Sequence, residues 1–203
     1  MLIESNEISV VIQGAIHTEL TPILISHIKA LLPGAEIIVS TWIGQELKST
    51  KNIQVIYQED PGTSVMMIDR DKMTIKFDNC NRQIISTFKG VQRAKNKYVL
   101  KIRSDMILYD IKFLSYYSRY INLPSDGLIF KQRIICNSSG TVDPRIGSVS
   151  HPGDFLFFGL TEDILKLFDV PNYFPNAVDE EERRRSPVTA CLSLIHISEP
   201  TRP

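Results

Sequence analysis

Short apolar runs that end in polar residues or glycine alternate along the chain with segments that repeat apolar residues at helical spacing. The runs ISVVIQG (8–14), EIIVSTW (36–42) and IQVIYQ (53–58) are rich in β-branched residues and predict strands. A helix capped by Thr21 is predicted over residues 22–32. Because the strands are apolar at most positions, we expect a sheet that is covered on both faces.

The alternation continues beyond residues 63–80, which predict an irregular connection with some helix. The later elements are a helix over 82–95, a strand from Tyr98, a helix capped by Asp110, a strand over 127–135, and a strand over 155–159 followed by a helix capped by Thr161. Strands that alternate with helices predict an open, mainly parallel α/β sheet flanked by helices. We assign this sheet to a single domain over residues 1–191.

Composition and charge exclude several classes of protein. Lys+Arg and Asp+Glu both number 23, so net charge gives no argument for nucleic acid as a partner. The three cysteines are far apart and lack a CxxC pair, which indicates a reducing compartment and no structural metal. The N-terminus lacks the basic flank of a signal peptide, and no apolar run approaches bilayer length. We therefore expect a cytoplasmic protein, and peripheral contact with the inner face of the cytoplasmic membrane stays open.

Residues 192–203, LSLIHISEPTRP, are set apart from the rest of the chain. They resemble the translation of a transposase adapter used in DNA library preparation. We expect them to be non-native, and we expect the natural chain to continue past about Cys191 with the domain incomplete at that point.

Three of the predicted strands end in polar residues. Open α/β sheets bind ligands beyond the carboxyl ends of their strands, where these side chains are expected to lie. The sequence has neither a GxGxxG motif nor a GxxxxGK[ST] motif, which excludes dinucleotide dehydrogenases and P-loop proteins. A nucleoside diphosphate bound without a glycine-rich loop needs other neutralisation, typically a cation held by carboxylates. Asp105, at the end of its strand, is well placed for that role.

Several segments together resemble a known family of sugar transferases. NRQIISTFKGVQRAKNKYVLKIRSD (81–105) resembles the part of GT-A glycosyltransferases that ends in a DxD-type motif. With ISVVIQGAI (8–16), LPGAEIIVSTW (32–42), EDPG (59–62) and PGDFLFFGLTEDILKLF (152–168), the chain resembles the WavE lipopolysaccharide-synthesis family. The resemblance implies a GT-A-like fold and transfer of a sugar from a nucleotide-sugar donor. The implied acceptor is lipopolysaccharide core or a related bacterial surface glycan.

The resemblance assigns roles to the residues that follow the strand from Tyr98. Asp105 stands at the last position of the DxD-like motif, which implies a divalent cation, Mn²⁺ or Mg²⁺, on the donor diphosphate. Arg103 stands where the first aspartate would be, so metal dependence is open, and Arg103 could itself bind a phosphate in bidentate fashion. The alternative is a structural Arg103–Asp105 ion pair.

Other strand and helix ends supply further candidates for donor binding. Gln13 and Gly14 end the first strand, where they begin a nucleotide pocket or form an ordinary loop. Thr41 and Trp42 end the second strand, and the Trp42 ring either stacks on a base or sugar or packs in the core. Arg82 starts a helix, where it binds phosphate or is a surface residue near the cap.

Transfer also needs a general base for the acceptor hydroxyl. Asp154 in HPGDFLFFG (151–159) is the candidate, and His151 is a weaker one. The alternative makes Asp154 a loop-capping residue. Asp60 in EDPG either contacts a ribose or organises a turn.

Two other classes of function remain open at this point. A noncatalytic nucleotide-sugar or glycan-binding domain would keep the sheet without full metal chemistry, as Arg103 in place of an aspartate suggests. A nucleotide-sugar hydrolase would use water at the same site.

Overall fold

The computed structural model of the chain describes residues 3–69, 74–119, 129–138, 141 and 153–170. Within this part of the chain, strands and helices alternate as the sequence predicts. The strands are β1 (Ile8–Gln13), β2 (Glu36–Trp42), β3 (Gln54–Gln58), β4 (Ser64–Asp69), β5 (Thr74–Asp78), β6 (Tyr98–Arg103), β7 (Ile135–Cys136) and β8 (Leu156–Leu160). The helices are α1 (Leu20–Leu31), α2 (Cys80–Val91), α3 (Phe113–Arg119) and α4 (Thr161–Phe168).

Six of these strands form one sheet, in the order β3, β2, β1, β6, β8, β7. β1 pairs in parallel with β2 on one side and with β6 on the other, and β3 is parallel to β2. β8 runs antiparallel to β6, and β7 antiparallel to β8. Every residue of β1 is buried, as expected for a central strand of a covered sheet. The prediction of a mainly parallel α/β sheet is confirmed, and this sheet is consistent with a GT-A-like architecture.

Helices cover both faces of the sheet and bury two apolar layers. Leu24 and Ile28 of α1 and Tyr117 of α3 pack on one face, against β-strand residues such as Val10 and Leu100. α2 and α4 cover the opposite face. Among the described residues, no helix is long and apolar enough to cross a bilayer.

Gly90 lets α2 approach the sheet closely. A Cβ atom at this position would overlap Val11 Cγ1 and lie 3.1 Å from Ser40 Cβ. Glycine in a helix costs about 1 kcal/mol relative to alanine. The close contact of α2 with β1 and β2 explains why glycine occupies this position despite the lower helix stability.

The prediction for residues 63–80 is wrong. β4 and β5 form a separate two-stranded antiparallel sheet, and α2 already begins at Cys80. The segments SVMMID and TIKFD carry apolar and β-branched residues typical of strands. That pattern favours a hairpin over the irregular connection predicted for this segment.

The prediction of a strand over 127–135 is wrong for most of its described part. Residues 129–134 are outside any strand, and only Ile135 joins Cys136 in β7. The main-chain N–H groups of Lys131 and Gln132 donate to the two carboxylate oxygens of Asp163, each at 2.9 Å. Their hydrogen bonds therefore go to a side chain of α4 and not to a strand ladder.

The two threonines predicted as caps have other partners. Thr21 lies inside α1, where its hydroxyl donates to the Ser104 carbonyl oxygen at 2.9 Å. Thr161 is the first residue of α4, and its hydroxyl donates to the Asn96 carbonyl oxygen at 2.6 Å. The Thr21 hydroxyl links α1 to the loop after β6, and the Thr161 hydroxyl links α4 to the loop before β6. The prediction of capping is therefore wrong at both sites.

The strand order reverses between β1 and β6. The chain proceeds from β1 outward through β2 to β3, and then returns to the other side of β1 to form β6. The loops after β1 and β6 therefore leave in different directions and open a crevice at the carboxyl ends of these strands. Ligands of open α/β sheets bind at such switch points.

Candidate active site

A cleft of about 510 Å³ opens at this switch point, a size typical of small-molecule sites. The predicted site residues that line it are Gln13, Gly14, Trp42, Arg82, Arg103, Asp105 and Asp154. Asp154 comes from the loop before β8, because the antiparallel pairing of β8 with β6 brings that loop to the carboxyl end of β6. Among the described residues, the structure thus brings together every predicted site residue except Thr41.

Thr41 and Trp42, at the end of β2, differ in their access to the cleft. Thr41 is fully buried, and its hydroxyl has no hydrogen-bond partner among the described residues. Because side chains alternate along a strand, Trp42 points to the opposite face. The Trp42 ring is 6% exposed and lines the cleft, so it packs in the core and also borders the site.

The end of β1 is fixed by a close backbone crossing. Gly14 has a φ of +112°, a region that L side chains rarely adopt. Its N–H donates to the Ser40 carbonyl oxygen at 3.0 Å, and a Cβ atom here would lie 3.2 Å from Ser104 Oγ. The Gln13 side-chain oxygen accepts a hydrogen bond from Ser86 Oγ at 2.8 Å. One edge of the Gln13 amide is thereby tied to α2 while the residue lines the cleft.

Arg103 and Asp105 form a bidentate ion pair at the end of β6. Arg103 Nε donates to Asp105 Oδ1 at 2.9 Å, and Nη2 donates to Oδ2 at 2.6 Å. This hydrogen bonding lowers the pKa of Asp105 and raises that of Arg103. The Arg103 and Asp105 side chains are 33% and 40% exposed, so solvent screens the pair. Asp105 is therefore an ionised carboxylate that orients the guanidinium group.

Arg103 also faces Asp154. Its Nη1 atom lies 3.8 Å from Asp154 Oδ2, beyond hydrogen-bonding distance but close enough for attraction. Its main-chain N–H donates to the Phe155 carbonyl oxygen at 3.2 Å. The Asp154 side chain is 44% exposed and lines the cleft. Its carboxylate is thus held near Arg103 while staying open to a ligand.

Lys101, on the same face of β6 as Arg103, is fully buried. Its Nζ atom donates a short hydrogen bond to the main-chain carbonyl oxygen of Asp154 and lies 5.4 Å from the Phe157 ring centre. Burial lowers the pKa of Lys101 from 10.5 to about 7. Sequence reasoning missed this residue, because a lysine in YVLKIR has no pattern that distinguishes it from a solvent-facing one.

Arg82 of α2 lines another wall of the cleft and pairs with Asp60. Its Nε and Nη2 atoms each donate to an Asp60 oxygen at 2.7 Å, and its Nη1 atom donates to Asn79 Oδ1 at 2.8 Å. The hydrogen bonds between Arg82 and Asp60 lower the pKa of the carboxylate. Asp60 also accepts the Gly62 N–H at 3.0 Å, as expected of a residue that organises a turn, and it lines the cleft, so contact with a ribose stays a prediction.

His17, in the loop after β1, is a lining residue that sequence reasoning missed. Its Nδ1 atom accepts the main-chain N–H groups of Glu19 and Leu20 at 3.3 and 3.2 Å, at the start of α1. Nδ1 is therefore occupied by main-chain donors. Its place in the loop that follows Gln13 and Gly14 is the signal that could have identified it.

The described residues do not by themselves form a site for a resident metal ion. Both oxygens of Asp105, the predicted ligand, are engaged by Arg103. Among the described residues, no group of three or more His, Cys, Asp or Glu side chains is placed to hold a cation. The divalent cation stays a prediction. His151, the weaker base candidate, and the segment 192–203 lie outside the described residues.

Comparison with known proteins agrees with the fold and with the segments that suggested a family. No curated protein matches the chain. The sequence model of the family described as WavE lipopolysaccharide synthesis matches residues 8–191, which include every strand and helix of the main sheet and all of the cleft residues. The chain therefore belongs to the WavE lipopolysaccharide synthesis family.

Proposed function

We propose that this protein is a glycosyltransferase that moves a sugar from a nucleotide-sugar donor to lipopolysaccharide core or a related bacterial surface glycan. Membership of the WavE family ties the chain to lipopolysaccharide synthesis. The donor and the acceptor within that process are part of the proposal.

One observation carries the proposal. A cleft at the topological switch point of an α/β sheet contains both a guanidinium group, on Arg103, and a separate open carboxylate, on Asp154. Sugar transfer needs these two kinds of group: a cation for the charge that develops on the leaving diphosphate, and a base for the acceptor hydroxyl. Trp42 and Gln13, at the ends of β2 and β1, supply a ring edge and an amide for the nucleoside.

The proposed chemistry is an in-line displacement. The oxygen of the acceptor hydroxyl forms a bond to the anomeric carbon of the donor sugar, and its proton passes to the Asp154 carboxylate. The bond between that carbon and the diphosphate oxygen breaks, and the nucleoside diphosphate leaves with the electron pair. Arg103, already oriented by Asp105, offers N–H groups to the oxygens that gain charge.

The test uses the complete gene product and a panel of nucleotide sugars, each with and without a lipopolysaccharide acceptor and with and without Mn²⁺. Released nucleoside diphosphate and transferred sugar are measured for wild type, Asp105→Ala and Asp154→Asn. Asp110→Asn is the matched control, because Asp110 is exposed and outside the cleft. We expect acceptor-dependent turnover that falls by at least roughly a hundredfold in Asp154→Asn and is unchanged in the control.

Three outcomes would contradict the proposal. Donor release at the same rate without an acceptor indicates a hydrolase. Tight donor binding without turnover on any acceptor indicates a binding domain. Donor binding and turnover that survive Asp105→Ala and Asp154→Asn unchanged place the site elsewhere.

A further inference from the structure

We propose that Lys101 is a positioning residue of the candidate active site: its buried amino group holds the main chain at Asp154 and so keeps the Asp154 carboxylate in the cleft. The inference rests on the proposed role of Asp154 as the base. It adds a residue that lies outside the cleft lining and acts through another residue.

The Nζ atom of Lys101 contacts the main chain at Asp154 and two aromatic rings that follow Asp154 in the chain. Nζ donates to the Asp154 carbonyl oxygen, and it lies 5.4 Å from the Phe157 ring centre and 6.0 Å from that of Phe168. The two rings exclude water from the ammonium group, and the carbonyl is its hydrogen-bond partner among the described residues. Lys101 is 0% exposed, so it cannot reach a ligand in the cleft itself.

Two residues of β6, Lys101 and Arg103, contact the segment around Asp154. Lys101 holds the Asp154 carbonyl oxygen, and Arg103 both faces the Asp154 carboxylate and donates its main-chain N–H to Phe155. The main chain and the side chain of the proposed base are therefore fixed by different groups. If Lys101 is removed, the main-chain contact is lost while the contacts from Arg103 remain.

A purely structural role would not call for lysine at this position. The surrounding layer includes Val99, Phe157, Leu167 and Phe168, in which an aliphatic side chain would fill the same space. Burying an ammonium group is unfavourable unless hydrogen bonds and nearby charges compensate for its lost hydration. A functional side chain must be held in place by hydrogen bonds from the residues behind it, and the contact with Asp154 identifies the residue that Lys101 would hold.

Two substitutions separate the hydrogen bond from the charge. Lys101→Met keeps the volume and removes the donor, whereas Lys101→Gln keeps an N–H donor and removes the charge. We expect Lys101→Met to lower kcat by roughly tenfold to a hundredfold, the effect of a small misplacement of a catalytic group, with the donor KM within about twofold of wild type. Lys101→Gln should recover part of the lost kcat. Lys48→Met, on an exposed loop, is the matched control and should leave both parameters unchanged.

A double-mutant cycle tests whether Lys101 acts through Asp154. In the Asp154→Asn background, Lys101→Met should reduce kcat by less than about threefold, because the group that it positions is already inactive. An equal loss in both backgrounds, or a donor KM that rises with unchanged kcat, would overturn the proposal.

Amide hydrogen exchange over residues 153–160 gives a readout that needs no turnover. The proposal predicts that exchange in this segment, measured relative to β1 in the same protein, is faster in Lys101→Met than in wild type. If exchange accelerates but no donor is turned over by any variant, the proposed function fails and the positioning role stands. If exchange is unchanged, the positioning role fails whether or not the enzyme is active.

Discussion

Replacing Lys101 by methionine is expected to change the stability of the fold in a pH-dependent way. The side chain is fully buried, with a main-chain carbonyl as its hydrogen-bond acceptor and two aromatic rings as neighbours. Below pH 7 lysine is protonated in both the folded and the unfolded chain, so folding must bury its charge. Between about pH 7 and 10.5 the unfolded chain still holds the proton but the folded chain does not, and the cost falls as pH rises.

The size of the effect follows from the two pKa values. Since one pKa unit corresponds to about 1.4 kcal/mol, the change from 10.5 to about 7 amounts to roughly 5 kcal/mol of destabilisation below pH 7. Lys101→Met removes that cost but leaves the Asp154 carbonyl oxygen without its donor, a loss of about 1–3 kcal/mol at every pH. We therefore expect the variant to be more stable than wild type by roughly 2–4 kcal/mol at pH 6. The cost of burying the charge and the loss of the hydrogen bond should be equal at about pH 9.

Urea unfolding of both proteins between pH 6 and pH 9.5 measures this difference. The single tryptophan, Trp42, is buried and reports unfolding by fluorescence. Titrations common to both proteins cancel in the difference of unfolding free energies, which should change by about 1.4 kcal/mol per pH unit above pH 7. A difference that is constant across the range would refute the conclusion that this ammonium group is desolvated in the folded state.

Three further predictions concern packing and reactivity. Gly90→Ala should destabilise the fold by roughly 1–2 kcal/mol, since overlap with Val11 outweighs the gain in helix propensity; a raised Tm in calorimetry would show that α2 can move away. Gly14→Ala should cost about 1–3 kcal/mol because of its positive φ and the nearby Ser104 hydroxyl, and urea unfolding of this variant at wild-type stability would contradict that strain. Burial raises the pKa of Cys80 to about 12. Iodoacetamide at pH 8 should therefore label Cys80 far more slowly in folded than in urea-unfolded protein. Equal labelling rates in peptide mass spectrometry would disprove this protection.

The central sheet and much of the cleft could be predicted from sequence because one physical rule connects them. Parallel central strands are apolar on both faces, so β1, β2 and β6 appear as continuous apolar runs with clear polar ends. Since parallel strands end at the same edge, Gln13 and Asp105 were expected to lie together without any knowledge of contacts. To predict that Gln13 and Asp105 lie together, it is enough to know which segments are strands and in which direction those strands run.

The parts that sequence reasoning missed depend on contacts between distant segments. Lys101 and Asp154 meet only because β8 pairs antiparallel with β6, and strand direction is not encoded in the apolar pattern of FLFFG. Thr41 was chosen for its place at a strand end, but the alternation of side chains buries it while Trp42 reaches the cleft. The predicted strand over 127–135 fails for a similar reason, because Asp163 takes the hydrogen bonds that a neighbouring strand would have made.

The most direct test of the central claim is whether the cleft at the ends of β1 and β6 binds a nucleoside diphosphate through Arg103. Isothermal titration of the complete gene product with UDP, GDP, ADP and CDP would compare wild type with Arg103→Gln, and Arg93→Gln serves as the control because Arg93 is exposed and outside the cleft. Loss of charge-assisted hydrogen bonds should weaken the preferred nucleotide by at least roughly tenfold in Arg103→Gln alone. Equal affinity in all three proteins would contradict the assignment of this cleft as the donor site.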